Sequence, residues 1–210
     1  TQDYVVTVNP SPIQTITNNQ PIVCEGIGID IDYTTPTVGG VINVQAVYPA
    51  GVTGSVDYAV STPVGASGTI TESLDNTNST AQTVTYTFTA SAAGCTVAVE
   101  SVDVVVDPTP TFTNLPGVAT ICSGDQLNFT ATSDVAGTVF TWTSAFTANI
   151  TGNTNGVGSI TDILTNTGNA QETVTYTVTA TGPGPESCVN GVTQDYVVTV
   201  NPSPIQTITN

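Results

Sequence analysis

A strict two-residue alternation constrains the fold of this chain more than any other feature. In the segment TVTYTFTA, residues 83–90, Val84, Tyr86 and Phe88 alternate with threonines, and TVTYTVTA, residues 173–180, repeats the pattern. Successive side chains of a β-strand point to opposite faces of a sheet. Each segment therefore predicts a strand with one apolar, buried face and one threonine face in solvent.

Shorter segments alternate in the same way, and no stretch has a sustained helical period. They are Ile27/Ile29/Ile31/Tyr33, Leu127/Phe129/Ala131 and Phe140/Trp142, and they are separated by turn sequences such as VGG, NTN, GNTNGVG and GPGPES. Many short strands between turns predict two packed sheets, as in the immunoglobulin fold. We place Trp142, the one tryptophan, in the predicted core of the second module, and we also predict Tyr86 and Tyr176 to be core residues.

The chain repeats itself at two scales. Residues 1–18 recur letter for letter at 193–210, an offset of 192 positions. Inside that period, TITESLDNTNSTAQTVTYTFTA at 69–90 aligns with SITDILTNTGNAQETVTYTVTA at 159–180. Each period therefore holds two diverged modules of about 95 residues.

The repeat predicts an all-β chain of tandem immunoglobulin-like sandwich modules arranged end to end. We expect the last strand of a preceding module at 1–10, a first sandwich at 11–108, a second at 109–203, and the start of a following module at 204–210. An artificial joining of the two ends is the alternative origin of the identity. Pro-x-Pro sequences at the module borders (9–12, 107–110 and 201–204) predict short, stiff links.

The charge is entirely acidic. The sequence has no Lys, Arg or His and has 16 Asp and Glu, for a formal net charge of -16. Such a surface repels nucleic acids and anionic membranes, and no run of 18 apolar residues predicts membrane insertion. Catalysis that requires His, Lys or Arg is excluded, and the scattered carboxylates predict no enzyme.

Calcium is the one metal for which the sequence offers weak candidates. Asp30, Asp32, Asp103 and Asp107 lie in or beside predicted strands near a module border. Carboxylate oxygens suit this cation, but the EF-hand spacing is missing. Ordinary solvated carboxylates remain the alternative, and no other cofactor is predicted.

The four cysteines, two in each module, permit three pairings. The repeat favours Cys24–Cys95 and Cys122–Cys188, because each pair then occupies corresponding places in its module. Such bridges predict an oxidising, extracellular location. Buried free thiols are the alternative.

Residues 121–204 resemble the PKD-like repeats of very large secreted surface proteins of Bacteroidetes. The matching marks are the Cys-x-Gly start, the Phe-x-Trp strand, the Leu-x-Asn turn, TVTYTVTA, the second cysteine and the VTVNPSP exit. The first module, 23–110, keeps most of these marks and lacks the tryptophan. The resemblance implies export, attachment to the cell surface and a spacer role in adhesins, including gliding-type adhesins, and it transfers no catalytic residue.

Two main hypotheses for function follow. The first is a structural repeat of a long extracellular adhesin or filament, a semi-rigid spacer whose partners are neighbouring copies of the same repeat. The second is a calcium-dependent module that binds surface glycans. An accessory domain of a secreted hydrolase is a third, which exact tandem duplication disfavours.

Overall fold

The computed structural model describes residues 2–9, 11–189 and 193–204. The chain divides into two compact units, Thr1–Pro108 and Thr109–Asn210, which are called module 1 and module 2 below. All regular structure in the described residues is β-strand. The predicted all-β fold of immunoglobulin-like, PKD-like sandwiches is confirmed.

Module 1 is built on a five-stranded sheet. Its strands are β1 (Thr15–Asn18), β2 (Ile22–Cys24), β3 (Ile31–Thr34), β4 (Val41–Val47), β5 (Val52–Gly54), β6 (Thr62–Gly65), β7 (Ser67–Ile70), β8 (Leu74–Asn76), β9 (Gln82–Ala92) and β10 (Cys95–Asp107). The large sheet has the order β2-β10-β9-β4-β6, and the smaller ones are β1-β3-β7 and β5-β8. Strand β2 pairs with β10 in parallel, and the other pairs are antiparallel.

Module 2 repeats this topology. Its strands are β11 (Gly117–Cys122), β12 (Phe129–Thr130), β13 (Val139–Phe146), β14 (Ile150–Thr151), β15 (Gly156–Val157), β16 (Ser159–Ile160), β17 (Thr165–Asn166), β18 (Glu172–Thr181) and β19 (Gln194–Asn201). The large sheet has the order β11-β19-β18-β13-β15, and the short pairs are β12-β16 and β14-β17. Each strand of module 2 has a counterpart in module 1, including the parallel pair, β11 with β19, whereas β1 has no counterpart among the strands of module 2.

The alternating segments form the centre of each large sheet. In β9, Val84, Tyr86 and Phe88 are fully buried, and the threonines between them are less buried or exposed. In β18, Val174 and Tyr176 are fully buried in the same manner. Fully burying a large apolar side chain contributes about 1.5–3 kcal/mol, so these two strands anchor their cores.

Trp142 lies in the core of module 2, where a glycine makes room for it. The ring is buried on β13, and β13 pairs Trp142 with Gly156 of β15. A Cβ added at Gly156 would lie 2.6 Å from Cζ2 of the indole. No other residue type can occupy this position without moving the tryptophan.

One residue departs from the predicted alternation. Ile27 is exposed, although Ile29, Ile31 and Tyr33 are buried. A turn precedes the strand: the Ile27 N–H donates to the Cys24 carbonyl at 3.1 Å, and Gly26 has a φ of 76°. The turn directs Ile27 outward, and regular pairing begins only at Ile31.

The sequence predicts a partial module at each end of the chain, and the described residues include only the first of these. Residues 2–9, expected to be the last strand of a preceding module, form no strand and are exposed throughout. Residues 205–210, where we expect a following module to start, lie outside the described residues.

Candidate functional site

Threonine hydroxyls donate hydrogen bonds to several aspartate carboxylates. In other proteins Lys and Arg side chains often fill this role. The pairs, with their oxygen–oxygen distances, are Thr69–Asp32 (2.6 Å), Thr85–Asp103 (2.6 Å), Thr111–Asp134 (2.6 Å), Thr154–Asp162 (2.7 Å) and Thr177–Asp195 (2.9 Å). The bond from Thr69, followed by one from Asn19, lowers the pKa of Asp32. Hydrogen bonds to a charged acceptor favour its ionised form, so uncharged donors stabilise the Asp32 carboxylate in a chain that has no Lys, Arg or His.

The structure brings together two of the four aspartates predicted as weak calcium ligands. The side-chain N–H groups of Asn19 donate to Asp30 at 3.2 Å and to Asp32 at 3.0 Å. Asp103 and Asp107 both lie on β10, four residues and about 13 Å apart along the strand. Residues 2–9, 11–189 and 193–204 contain no group of three or more His, Cys, Asp or Glu that could hold a metal ion.

The cysteines of module 1 lie at opposite ends of one long strand. Cys24 is the register partner of Asp107, the last residue of β10, whereas Cys95 is its first residue and pairs with Ala92. At about 3.3 Å per residue the two ends are about 40 Å apart. A disulfide requires Cα atoms roughly 4.4–6.8 Å apart. The predicted Cys24–Cys95 bridge is therefore wrong.

Module 2 separates its cysteines in the same way. Cys122 is the register partner of Asn201, the last residue of β19. Cys188 precedes the first residue of that strand and adjoins Val189, which bridges to Thr181. Cys95 and Cys122 are free thiols, and Cys24 and Cys188 are disulfide-bonded. The predicted Cys122–Cys188 bridge is wrong for the same geometric reason.

A carboxylate bonded to the central tyrosine occupies the same place in both modules, buried in module 1 and half-buried in module 2, and the sequence reasoning missed it. Glu72 is only 3% exposed and accepts hydrogen bonds from the Tyr86 hydroxyl and, at 2.8 Å, from the Tyr48 hydroxyl. Burial raises the pKa of Glu72 and also that of Tyr86. In module 2, Tyr176 donates to Asp162 at 2.7 Å.

The alignment of 69–90 with 159–180 contains the signal for this pair. It places Glu72 on Asp162 and Tyr86 on Tyr176, so an acid and a tyrosine keep their spacing in both copies. Each carboxylate satisfies the hydroxyl of the central core tyrosine, which would otherwise be buried without a partner. The pair stabilises the core.

A buried asparagine ties the last strand of each module to the preceding turn. Asn76 donates to the carbonyls of Val106 at 2.9 Å and Thr80 at 3.0 Å. Asn166 donates to the corresponding carbonyls of Val200 at 2.9 Å and Ala170 at 2.7 Å. The Leu-x-Asn turn seen in the sequence is therefore a structural clamp.

A cavity of about 490 Å³ lies at the N-terminal end of module 1. Its lining residues are Asn9, Ser11, Ile13, Pro36, Thr37, Val38, Ala92 and Ala93. These side chains are aliphatic or small and polar, with no aromatic ring on which a sugar could stack. Among the described lining residues none carries a charge.

Comparison with known proteins agrees with this architecture. Residues 119–204 match the family model of the PKD-like domain. The match includes nearly all of module 2 and less than half of the chain. The similarity to PKD-like domains therefore rests on the module that contains Trp142.

Three solved structures are also similar to the chain. The titin I-band fragment I67–I69 gives a TM-score of 0.46 at 10% identity, covering 92% of this chain and 66% of that one. The DIP-gamma IG1+IG2 structure gives 0.43 at 9% identity, covering 92% and 99%. Mouse cadherin-23 EC22-24 gives 0.42 at 16% identity, covering 90% and 66%.

No curated protein matches the sequence. A search of the described residues for a helix long and apolar enough to cross a membrane found none.

Proposed function

We propose that this chain is a structural repeat of a long extracellular, surface-attached adhesin or filament, in which PKD-like modules act as semi-rigid spacers. One observation carries the proposal. Residues 2–9 have the same sequence as β19, the strand that completes module 2. A strand of this sequence belongs at the end of a module.

The burial of β19 supports this interpretation. Tyr196, Val198 and Val200 are buried in the core of module 2. The same side chains in residues 2–9 are exposed, with Tyr4 at 92% and Val8 at 86%. A module with strands equivalent to β11 and β18 would offer them a core, as module 2 does for β19. A preceding module of the same series would supply both strands.

The proposed role is mechanical, and the residues suit that role. The carboxylates of Asp32, Asp103 and Asp162 accept hydrogen bonds from threonine, asparagine and tyrosine side chains, which suits a structural role. Proline at both ends of the linker 108–110 restricts its backbone, and like charge on all modules opposes their collapse. Disulfide-bonded Cys24 and Cys188 suit an extracellular location.

Small-angle X-ray scattering on one, two and four copies of the 192-residue period tests the spacer. We expect the maximum dimension to rise by a constant increment of about 80 Å per period, because a 13-residue strand such as β10 sets a module length of about 40 Å. Replacing Pro108 and Pro110 by glycine is the matched control and should shorten the increment. A maximum dimension that does not grow with copy number would overturn the proposal.

A glycan array with and without calcium tests the other hypothesis. The spacer proposal predicts no saturable binding in either condition. Binding that saturates and depends on calcium would overturn it in favour of a calcium-dependent glycan-binding module.

A further inference from the structure

Strand β19 is an interior strand of the large sheet of module 2. It pairs in parallel with β11 on one edge and antiparallel with β18 on the other. Because the sheet order is β11-β19-β18-β13-β15, removing β19 would separate β11 from the other strands. Unpaired strand edges of this kind accept an added strand. The place that residues 194–201 occupy is called the β19 slot below.

The buried wall of the β19 slot matches one apolar pattern. The ring of Tyr196 stacks on Phe129, with centroids 3.9 Å apart. A Cβ added at Gly117 would lie 3.1 Å from Cδ2 of Tyr196, so a glycine makes room for this ring. Val198 and Val200 are fully buried. The slot therefore fits a tyrosine followed by valines two and four residues later.

Polar contacts at the two ends of the slot add to this match. The Thr177 hydroxyl donates to the Asp195 carboxylate at 2.9 Å. The side-chain N–H of Gln171 donates to Oδ1 of Asn201 at 2.7 Å, and the Ser123 N–H donates to the Asn201 carbonyl at 3.0 Å. An aspartate at the second position and an asparagine at the eighth thus complete the pattern.

Residues 2–9 have every side chain that the slot contacts, because both segments read QDYVVTVN. They form no strand and are exposed throughout, with Val6 at 66% and Val8 at 86%. Burying apolar side chains of this kind is favourable. The segment therefore has the sequence of a core strand and presents it to solvent.

Module 1 fits this segment less well than module 2. In module 1, Val102 pairs with Tyr86 as Tyr196 pairs with Tyr176 in module 2. Val102 packs against the core of module 1, so the position that takes a tyrosine in module 2 takes a valine here. A larger side chain forced into a packed core is destabilising. The acceptor for QDYVVTVN is therefore module 2.

We propose that residues 2–9 are a donor strand for module 2 of a second copy of this chain. The segment enters the β19 slot in the register of residues 194–201 when that module lacks a competent last strand of its own. The inference rests on the identity that carries the proposed function, and it extends the partner from a neighbouring module to a separate copy. It joins copies head to tail without a covalent bond.

Competition between the two identical strands sets when this happens. A strand tethered by a short linker acts at an effective concentration of about 1 mM. In an intact, dilute chain β19 therefore fills its own slot, and the copies stay separate. A module whose last strand is lost or defective is completed by the free segment of an intact copy, so a broken series is joined again.

A peptide of sequence QDYVVTVN tests the slot in the full chain. The double variant Val6→Asp/Val198→Asp has a defective β19, because a carboxylate would be buried without a partner, and it has no competent donor. We expect excess peptide to restore saturably the Trp142 emission spectrum of the Val6→Asp chain. Peptide QDYVDTVN, which has the same substitution, should restore nothing. No recovery with QDYVVTVN, or equal recovery with both peptides, would overturn the proposal.

The last strand of module 1 supplies a control for the sequence match. Its peptide, ESVDVVVD (residues 100–107), has the same length and corresponds to 194–201 but has valine in place of the tyrosine. We expect it to give less than a tenth of the recovery that QDYVVTVN gives at the same concentration. Equal recovery would overturn the match between this slot and QDYVVTVN.

Refolding at high protein concentration tests the exchange between whole chains. The chains are unfolded in guanidinium, refolded with a thiol reductant so that Cys95 and Cys122 form no links, and measured by size-exclusion chromatography with light scattering. The unsubstituted chain should form oligomers, Val198→Asp should form the largest fraction, and Val6→Asp should remain monomeric. Equal oligomer fractions in the three chains would overturn the donor strand.

These readouts fail separately from the scattering experiment on the spacer. A compact array would overturn the spacer, while the peptide would still restore module 2. A peptide that restores nothing would overturn the donor strand, while the increment in maximum dimension per period would stay as it is.

Discussion

Residues 2–9 and residues 194–201 share the sequence QDYVVTVN, but only the second segment is a strand. In β19 it pairs with β11 on one side and with β18 on the other. Residues 2–9 form no strand pairing and lie in solvent. Because the two segments have the same side chains, only the strands packed around them can explain why one is a strand and the other is not.

The comparison shows what a β-strand needs beyond its own pattern. Alternation supplies an apolar face, and the register partners and the opposing sheet supply the place where that face is buried. Strand β19 also has two specific attachments, from Asn166 to the Val200 carbonyl and from Thr177 to Asp195. Matched substitutions in the two copies measure each of these contributions.

The largest effect is expected for a charge in the buried position. Val198 is fully buried, whereas Val6 of the other copy is 66% exposed. Val198→Asp should lower the free energy of unfolding of module 2 by more than about 4 kcal/mol, because it buries an unpaired carboxylate. Val6→Asp should change it by less than about 0.5 kcal/mol. Fluorescence of Trp142, the only tryptophan, reports guanidinium unfolding of module 2 alone. If Val198→Asp and Val6→Asp changed the free energy of unfolding equally, burial would not distinguish the two copies.

Replacing the tyrosine of QDYVVTVN should give the next largest loss of stability. Tyr196 stacks on Phe129 with ring centroids 3.9 Å apart and planes at 11°. Tyr196→Ala should destabilise module 2 by about 3 kcal/mol through lost packing. Tyr4→Ala is the control and should leave the guanidinium midpoint unchanged. A shift of the midpoint by Tyr4→Ala would show that residues 2–9 contribute to the stability of module 2.

The asparagine clamp should contribute less. Asn166→Ala leaves the carbonyls of Val200 and Ala170 without their donor, so a loss of about 2 kcal/mol is expected. Asn153, which makes one hydrogen bond to the Ser144 hydroxyl at 2.9 Å, is a control in the same module. Asn153→Ala should cost less than about 1 kcal/mol. If the two variants unfold at the same denaturant concentration, the clamp has no special role in holding β19.

The smallest effect is expected at the exposed aspartate. Asp195 accepts a hydrogen bond from Thr177 at 2.9 Å on the sheet surface. Asp195→Ala should destabilise module 2 by no more than about 0.5 kcal/mol, because the bond is solvent-exposed and one like charge is removed. Asp3→Ala should have no effect on the same fluorescence transition. A loss above about 2 kcal/mol for Asp195→Ala would show that the threonine–aspartate pairs are major sources of stability.

Much of the fold follows from patterns that are local in the sequence. The alternation in 83–90 and 173–180 identifies the central strands, and the internal repeat predicts two sandwiches of one topology. The alternation failed at Ile27, where a turn intervenes. The buried Glu72 was missed because an isolated acidic residue ordinarily lies in solvent, although its alignment with Asp162 contained the signal.

The pairing of the cysteines could not be predicted from the sequence. Corresponding positions in two modules are compatible with bridges inside each module and with bridges between successive ones. The register of β10 decides against the first option, because it places Cys24 and Cys95 at opposite ends of a 13-residue strand. Strand direction and length set that distance, and a one-dimensional alignment does not contain them.

The sequence by itself determined the all-β class, the period of 192 residues and the absence of any cationic partner for its carboxylates. These are properties of composition and of spacing along the chain. The tertiary structure alone decided that QDYVVTVN is a buried strand at 194–201 and an exposed segment at 2–9, and that the two cysteines of a module cannot meet. The physical reason is that burial and disulfide geometry depend on distances between residues far apart in the chain, which only the packed sheets fix.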